Sequence, residues 1–69
     1  MPDVIKTLPR PTARLKAILD AELALPKYKG EDEDIAMIDA LQAILTKHGE
    51  DAFDPFNYTD RILLGLAKN

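Results

Sequence analysis

The sequence of 69 residues contains no cysteine, and it has only one histidine and three glycines. A chain without cysteine forms no disulfide, offers no thiolate zinc ligand and has no thiol nucleophile. A small domain without disulfides is typical of the cell interior, so we expect a cytoplasmic protein. The N-terminus lacks the apolar segment of a signal peptide, and no apolar run approaches the ~20 residues of a membrane span. We therefore expect a soluble domain that has no membrane partner.

Groups that carry catalysis or bind metals are also scarce. His48 is the single histidine, and none of the four threonines stands in a recognisable nucleophile–base pattern. There is no glycine-rich phosphate loop and no metalloprotease spacing. Calcium-binding loops that would begin at Asp32 or Asp51 fail, because apolar residues or proline occupy ligand positions. We predict a protein that is not an enzyme and holds no cofactor or metal, with His48 packed structurally at a helix end.

The composition is that of a small globular protein, with 46% apolar and 30% charged residues. Helical periodicity extends over about 11–25, 31–48 and 58–67, and two prolines mark an extended N-terminal arm at 1–10. Short connections join the three helices, as in compact antiparallel or orthogonal bundles. The sequence therefore predicts an all-α fold: a small single-domain three-helix bundle over residues 11–69, with 31–48 as the central helix.

The first helix is expected to begin near Pro11 and to end before Pro26. Proline is tolerated in a first helical turn and disfavours helical geometry in the residue before it. Glu22 falls in the middle of the apolar side of this helix, which consists of Leu15, Ile18, Leu19 and Leu25. Two interpretations of Glu22 stay open. Either the carboxylate reaches solvent or a nearby lysine, or it lies in a partly apolar pocket that raises its pKa.

The second helix is apolar around most of its circumference, which predicts burial on most sides. Asp32 is expected to cap its N-terminus, and Gly49 to end it in a left-handed conformation. One broad side carries Met37, Ile38, Leu41, Ile44 and Leu45, and a second side carries Ala36, Ala40 and Ala43. The alanines would let a neighbouring helix approach closely.

The third helix has three possible N-caps, Asp54, Asn57 and Thr59. We favour an irregular turn near 50–57, followed by a helix that begins at about Tyr58. Its inner face is predicted to consist of Tyr58, Ile62, Leu63 and Leu66.

Two further residues of this helix bear on its packing. Gly65 lowers helix stability by about 1 kcal/mol relative to alanine, and we expect it to allow close packing on the inner face. Leu64 is predicted to point nearly opposite, beside Asp60, where it is not needed by an isolated bundle.

Charge is distributed unevenly along the chain. Residues 1–30 carry six basic and three acidic side chains, whereas residues 31–69 carry three basic and nine acidic ones. Four consecutive carboxylates, at 31–34, precede the central helix. Carboxylates stabilise a helix N-terminus by about 0.3–1 kcal/mol each, but starting one helix does not require all four. The cluster is either a solvated acidic face or a docking surface for a basic partner.

These observations predict a non-enzymatic protein-binding module. It would act as a regulator or inhibitor by docking to a protein with a basic surface, as small acidic inhibitors, many of them phage-encoded, do. The residues predicted to contact the partner are Glu31, Glu33, Asp34, Glu50, Asp51, Asp54 and Leu64.

Two alternative functions stay open. The alanine side of the second helix, or Leu64, would support self-association in a structural or assembly protein. Helix-turn-helix regulators are also trihelical, but here the last helix offers only Arg61 and Lys68 as basic residues, and the acidic half would repel DNA. Nucleic acid is therefore not the expected partner.

Overall fold

The computed structural model describes residues 8–69, and this range folds as a small three-helix domain without strands. The helices are α1 (Ala13–Leu23), α2 (Glu33–His48) and α3 (Tyr58–Lys68), with single 3₁₀ turns at Pro26–Tyr28 and Glu50–Ala52. The predicted all-α class is confirmed. Most of the predicted arm at 1–10 lies outside the described residues. Within the described range, no helix is long and apolar enough to cross a membrane.

Helix α1 is shorter at both ends than its periodicity predicted. It begins after Thr12, whose hydroxyl accepts a hydrogen bond of 3.3 Å from the N–H of Leu15. It ends at Leu23, and the chain continues into the 3₁₀ turn that Pro26 opens. Leu25 has extended geometry (φ −66°, ψ 143°), as expected for a residue whose backbone meets a proline ring.

Both predicted ends of α2 are found. The carboxylate of Asp32 accepts a hydrogen bond of 2.9 Å from the N–H of Asp34, which makes Asp32 the N-cap. Gly49 follows the helix with a positive φ of 72°. Its ψ of −172° differs from that of a left-handed helical cap and belongs to a region that essentially only glycine adopts.

Helix α2 is central, because it packs against both α1 and α3. The predicted burial of two sides of this helix is found in part: the buried residues are Ala36 and Ala40 of the alanine side and Leu41 and Ile44 of the bulky side. Ile38 and Leu45, predicted to face the core, are only half-buried at the margin of this buried surface, and Ile35 is 56% exposed. The two neighbouring helices thus cover the alanine side as well as part of the bulky side.

Helix α3 presents a different face to the core from the predicted one. Its buried residues are Thr59, Asp60, Leu63 and Ala67. Tyr58 is 63% exposed, and Ile62 is half-buried outside the core cluster. The predicted inner face is therefore wrong at these two residues, whereas Leu63 is buried and the half-buried Leu66 packs against the core. The expected close packing at Gly65 is also wrong, because no described atom beyond its chain neighbours and the adjacent backbone of α3 lies within 4 Å of where a Cβ would stand.

Candidate functional site

The burial of Asp60 explains which face of α3 is turned towards the core. Its carboxylate is fully buried and accepts three hydrogen bonds, from the N–H of Thr12 (3.0 Å), the hydroxyl of Thr12 (2.7 Å) and the N–H of Asp54 (3.0 Å). A polar group is tolerated in a protein interior when it is hydrogen-bonded. Asp60 therefore ties the start of α1 and the loop before α3 to α3 itself.

The loop before α3 is held by its own side chains as well. The N–H of Phe56 donates to the carboxylate of Asp54 (2.9 Å), and the N–H of Asp60 donates to the side-chain oxygen of Asn57 (3.0 Å). Asn57 is therefore the N-cap of α3, which selects one of the three predicted starts. Since Asp54 is itself bound to Asp60, the turn that carries Phe56 has a fixed shape.

This turn displays two aromatic side chains to solvent. Phe56 is 94% exposed and Tyr58 is 63% exposed, whereas Phe53, three residues earlier, is buried. A depression of about 280 Å³ lies beside the second of them and is lined by Tyr58, Arg61 and Ile62. We call Phe56, Tyr58, Arg61 and Ile62 the aromatic surface. Sequence reasoning missed Phe56, although the Asp54–Pro55 pair before it is a turn signal that would have placed it at the tip of a loop.

Four of the seven predicted contact residues line a cleft of about 580 Å³ between the start of α1 and the α2–α3 connection. Glu50, Asp51, Asp54 and Leu64 all line it, and we call it the acidic cleft. Leu64 is half-buried in its wall and does not project from the surface as predicted.

Two basic residues moderate the charge of this cleft. Arg14 donates from Nη1 to the backbone oxygen of Asp51 (3.1 Å), and Lys68 forms an exposed ion pair with Glu50 (3.0 Å). The acidic cleft and the aromatic surface adjoin, because Asp54 and Pro55 lead directly into Phe56.

The remaining predicted contact residues, Glu31, Glu33 and Asp34, lie at the opposite end of α2. A helix of 16 residues is about 24 Å long, so these carboxylates are not part of the acidic cleft. Glu31 and Glu33 are exposed, and Asp34 is half-buried. Across residues 8–69, no group of three or more histidine or carboxylate side chains converges as metal ligands would. The structure thus divides the seven predicted residues into two separate sets.

Glu22 is a buried structural carboxylate at 6% exposure. It accepts hydrogen bonds from the hydroxyl of Tyr28 (2.7 Å) and the ammonium of Lys47 (2.9 Å), and Lys27 lies 3.8 Å away. The Tyr28 hydroxyl, together with Lys47, lowers the pKa of Glu22 despite its burial. The predicted pairing with a lysine is therefore found, and the alternative of a raised pKa is wrong.

Tyr28 donates its hydroxyl hydrogen to Glu22, and His48 follows Lys47 at the end of α2. Burial, with the neighbouring carboxylate of Glu22, raises the pKa of Tyr28 to about 12. His48 is exposed at the end of α2, so its predicted packing is wrong. The helix ends at His48, and its side chain is exposed although the residue follows the buried Ile44 by one helical turn.

In comparisons with known proteins, no family model, curated protein or solved structure matches the chain. Function is therefore inferred from the surface itself.

Proposed function

We propose that the protein is a small non-enzymatic module that regulates or inhibits a partner protein by docking to it. The observation that carries this proposal is the 94% exposure of Phe56 on a turn fixed by hydrogen bonds. An exposed phenylalanine gains free energy when a partner covers it, because aromatic side chains contribute about 150–250 Å² each on burial. Aromatic residues and arginine also dominate the binding energy of protein interfaces.

The fixed shape of the turn strengthens this interpretation. A mobile loop loses conformational freedom on binding, and that loss reduces the affinity. Here the hydrogen bonds from Asp54 and Phe56 order the turn before any partner arrives. The partner would therefore bind a surface that is already formed.

The carboxylates of the acidic cleft favour a partner whose contact surface is apolar at its centre and basic at its edge. Glu50, Asp51 and Asp54 border the turn on one side, and carboxylates placed at the rim of an interface speed association with a positively charged surface. We propose a cytoplasmic location for this activity, which cell fractionation would test.

DNA binding receives less support from the surface. The exposed basic residues of α3 are Arg61 and Lys68, and Lys68 is engaged by Glu50 at 3.0 Å. A recognition helix uses several polar side chains to contact bases and phosphates. We therefore retain a protein as the proposed partner.

The test is affinity capture from lysate of the source cells, with quantitative mass spectrometry of the retained proteins. Wild-type protein is compared with Phe56→Ala and with Ile35→Ala, a matched control that truncates an apolar residue 56% exposed at the other end of α2. We expect at least one protein that Phe56→Ala retains roughly tenfold less than wild type, a loss of about 1.4 kcal/mol, and that Ile35→Ala retains fully. Equal retention by all three baits would contradict the proposal.

A further inference from the structure

The segment that precedes α1 is bound to the first turn of α3, and we call residues 8–12 the strap. The hydroxyl of Thr59 donates a hydrogen bond of 2.8 Å to the backbone oxygen of Pro9. Thr12 donates from its N–H (3.0 Å) and from its hydroxyl (2.7 Å) to the carboxylate of Asp60. Thr59 and Asp60 are both buried. Two consecutive residues of α3 therefore hold the strap, one at Pro9 and the other at Thr12.

The strap shares its anchor with the turn that carries Phe56. Oδ2 of Asp60 accepts hydrogen bonds from the hydroxyl of Thr12 and from the N–H of Asp54, and Oδ1 accepts the N–H of Thr12. The strap thus supplies two of the three hydrogen bonds that orient this carboxylate. Without them the carboxylate is free to rotate towards water, and its remaining bond to Asp54 weakens, because the members of a hydrogen-bond network support one another. Lifting the strap therefore loosens the turn.

The strap has the features of a segment that opens locally. Its residues are half-buried or exposed, and it belongs to none of the three helices. Leu8 packs against the core. A groove of about 220 Å³ is lined by the strap together with Leu19, Met37 and Leu63, one residue from each helix. Segments with few apolar contacts and exposed backbone open at a lower free energy than the whole domain unfolds.

We propose that the strap regulates docking at the aromatic surface: the attached strap holds the turn in its ordered shape, and a lifted strap releases the turn and lowers the affinity for a partner. The proposal rests on the proposed function, since it concerns the regulation of the same surface. Coupling between two sites acts in both directions, so a partner that binds the ordered turn also holds the strap in place. A molecule that draws the strap away from α3 weakens docking although it never touches Phe56.

The experiment is amide hydrogen exchange of the free protein, followed by NMR. Thr12→Val removes the hydroxyl that the strap donates to Asp60, and Thr12→Ser retains it. We expect Thr12→Val to speed exchange of the Asp54 N–H roughly tenfold, which corresponds to about 1.4 kcal/mol and is within the range of one hydrogen bond, and Thr12→Ser to exchange like wild type. Since Thr12 also caps α1, the internal control is the N–H of Lys29, which donates to the oxygen of Pro26 (3.0 Å) in the turn between α1 and α2 and should keep its rate.

A second pair of variants tests the strap away from the shared carboxylate. Thr59→Val removes the hydrogen bond to Pro9, and the matched control Thr46→Val removes a hydroxyl that donates to the backbone oxygen of Gln42 on the exposed side of α2 (3.0 Å). We expect Thr59→Val to speed exchange of the Asp54 N–H, and Thr46→Val to leave it unchanged. If Asp54 responds to Thr12→Val alone, the strap does not act as a unit and the proposal is overturned.

The remaining outcomes separate the strap from the proposed function, because exchange is measured without any partner. Equal acceleration at Asp54 and Lys29 reports a general loss of stability and overturns the coupling, as does an Asp54 N–H that exchanges like wild type in both valine variants. If Asp54 does not respond while a captured protein depends on Phe56, the strap fails and the proposed function stands. If Asp54 responds as expected but no captured protein depends on Phe56, the coupling stands and the proposed function fails.

Discussion

The hydroxyl of Thr12 donates a hydrogen bond of 2.7 Å to the carboxylate of Asp60, which lies 48 positions away in the chain. The same carboxylate accepts the N–H of Thr12 and the N–H of Asp54, so one buried side chain joins α1, the turn with Phe56, and α3. The shape of the aromatic surface therefore depends on a residue that is itself inaccessible to any partner.

The first prediction concerns Asp60. Asp60→Ala leaves three part-buried donors without an acceptor, and each loss costs about 1–3 kcal/mol unless water replaces the carboxylate. We expect the free energy of unfolding to fall by about 3–5 kcal/mol in urea denaturation. The matched control is Asp20→Ala, which removes an exposed carboxylate paired with Lys16 on α1 and should change stability by less than about 1 kcal/mol. Equal effects of the two substitutions would show that the buried network contributes little.

The sequence predicted the ends of the helices, but it did not predict the face that α3 buries. Helix ends were predicted to within about two residues, because Pro26, Asp32 and Gly49 act on their immediate neighbours. The face that α3 buries was not predicted, because the hydrogen bond between Thr12 and Asp60 forms only in the tertiary structure. A periodicity of apolar residues placed Tyr58 inside and Asp60 outside, and the buried hydrogen bonds reverse both.

The candidate site shows the same limit. Its acidic residues could be identified from composition, yet their division between two ends of α2 requires the helix length and packing. Phe53 and Phe56 are indistinguishable by hydropathy, and only the structure shows that the first is buried and the second exposed.

The second prediction concerns the pH dependence that Glu22 confers. Its pKa is lower in the folded than in the unfolded state, so its contribution to stability is present above the unfolded pKa and is lost as pH falls through the folded one. Glu22→Gln is therefore expected to lower the free energy of unfolding by about 1.5–3 kcal/mol at pH 7. In urea denaturation at decreasing pH, the gap between wild type and variant should narrow below about pH 4. A gap that is constant with pH would mean that the charge of Glu22 is not the stabilising feature.

The third prediction concerns Tyr28 at alkaline pH. Its pKa is raised to about 12 in the folded protein, whereas an unfolded tyrosine titrates near pH 10. The folded state thus favours the protonated phenol, and its contribution to stability is present below about pH 10 and lost as pH rises from 10 towards 12. Ultraviolet titration of Tyr58→Phe, which leaves Tyr28 as the only tyrosine among the 69 residues, should show ionisation near pH 12. Ionisation near pH 10 in the folded variant would contradict the buried hydrogen bond.

The fourth prediction tests the centre of the core. Leu41 of α2 is completely buried, and Leu41→Ala should cost about 2–5 kcal/mol, enough to threaten folding in a domain of this size. Ile35→Ala, on the same helix but 56% exposed, should change stability by less than about 0.5 kcal/mol. Thermal unfolding followed by circular dichroism compares the two, and similar melting temperatures would show that α2 is not the central helix.

The last prediction separates the two acidic groups by the rate at which a captured partner associates. Glu50→Gln with Asp51→Asn neutralises two carboxylates of the acidic cleft, whereas Glu31→Gln with Glu33→Gln neutralises two at the other end of α2. The helix between them is about 24 Å long, and the Debye length at physiological salt is about 8 Å, so a partner centred on Phe56 responds mainly to the nearer pair. We expect the first double variant to slow association in stopped-flow or surface-binding kinetics, with a loss that shrinks as salt is raised, and the second to associate like wild type. If the second variant is the slower one, the docking surface lies at the start of α2 instead, as the run of four carboxylates suggested, and Phe56 is not its centre.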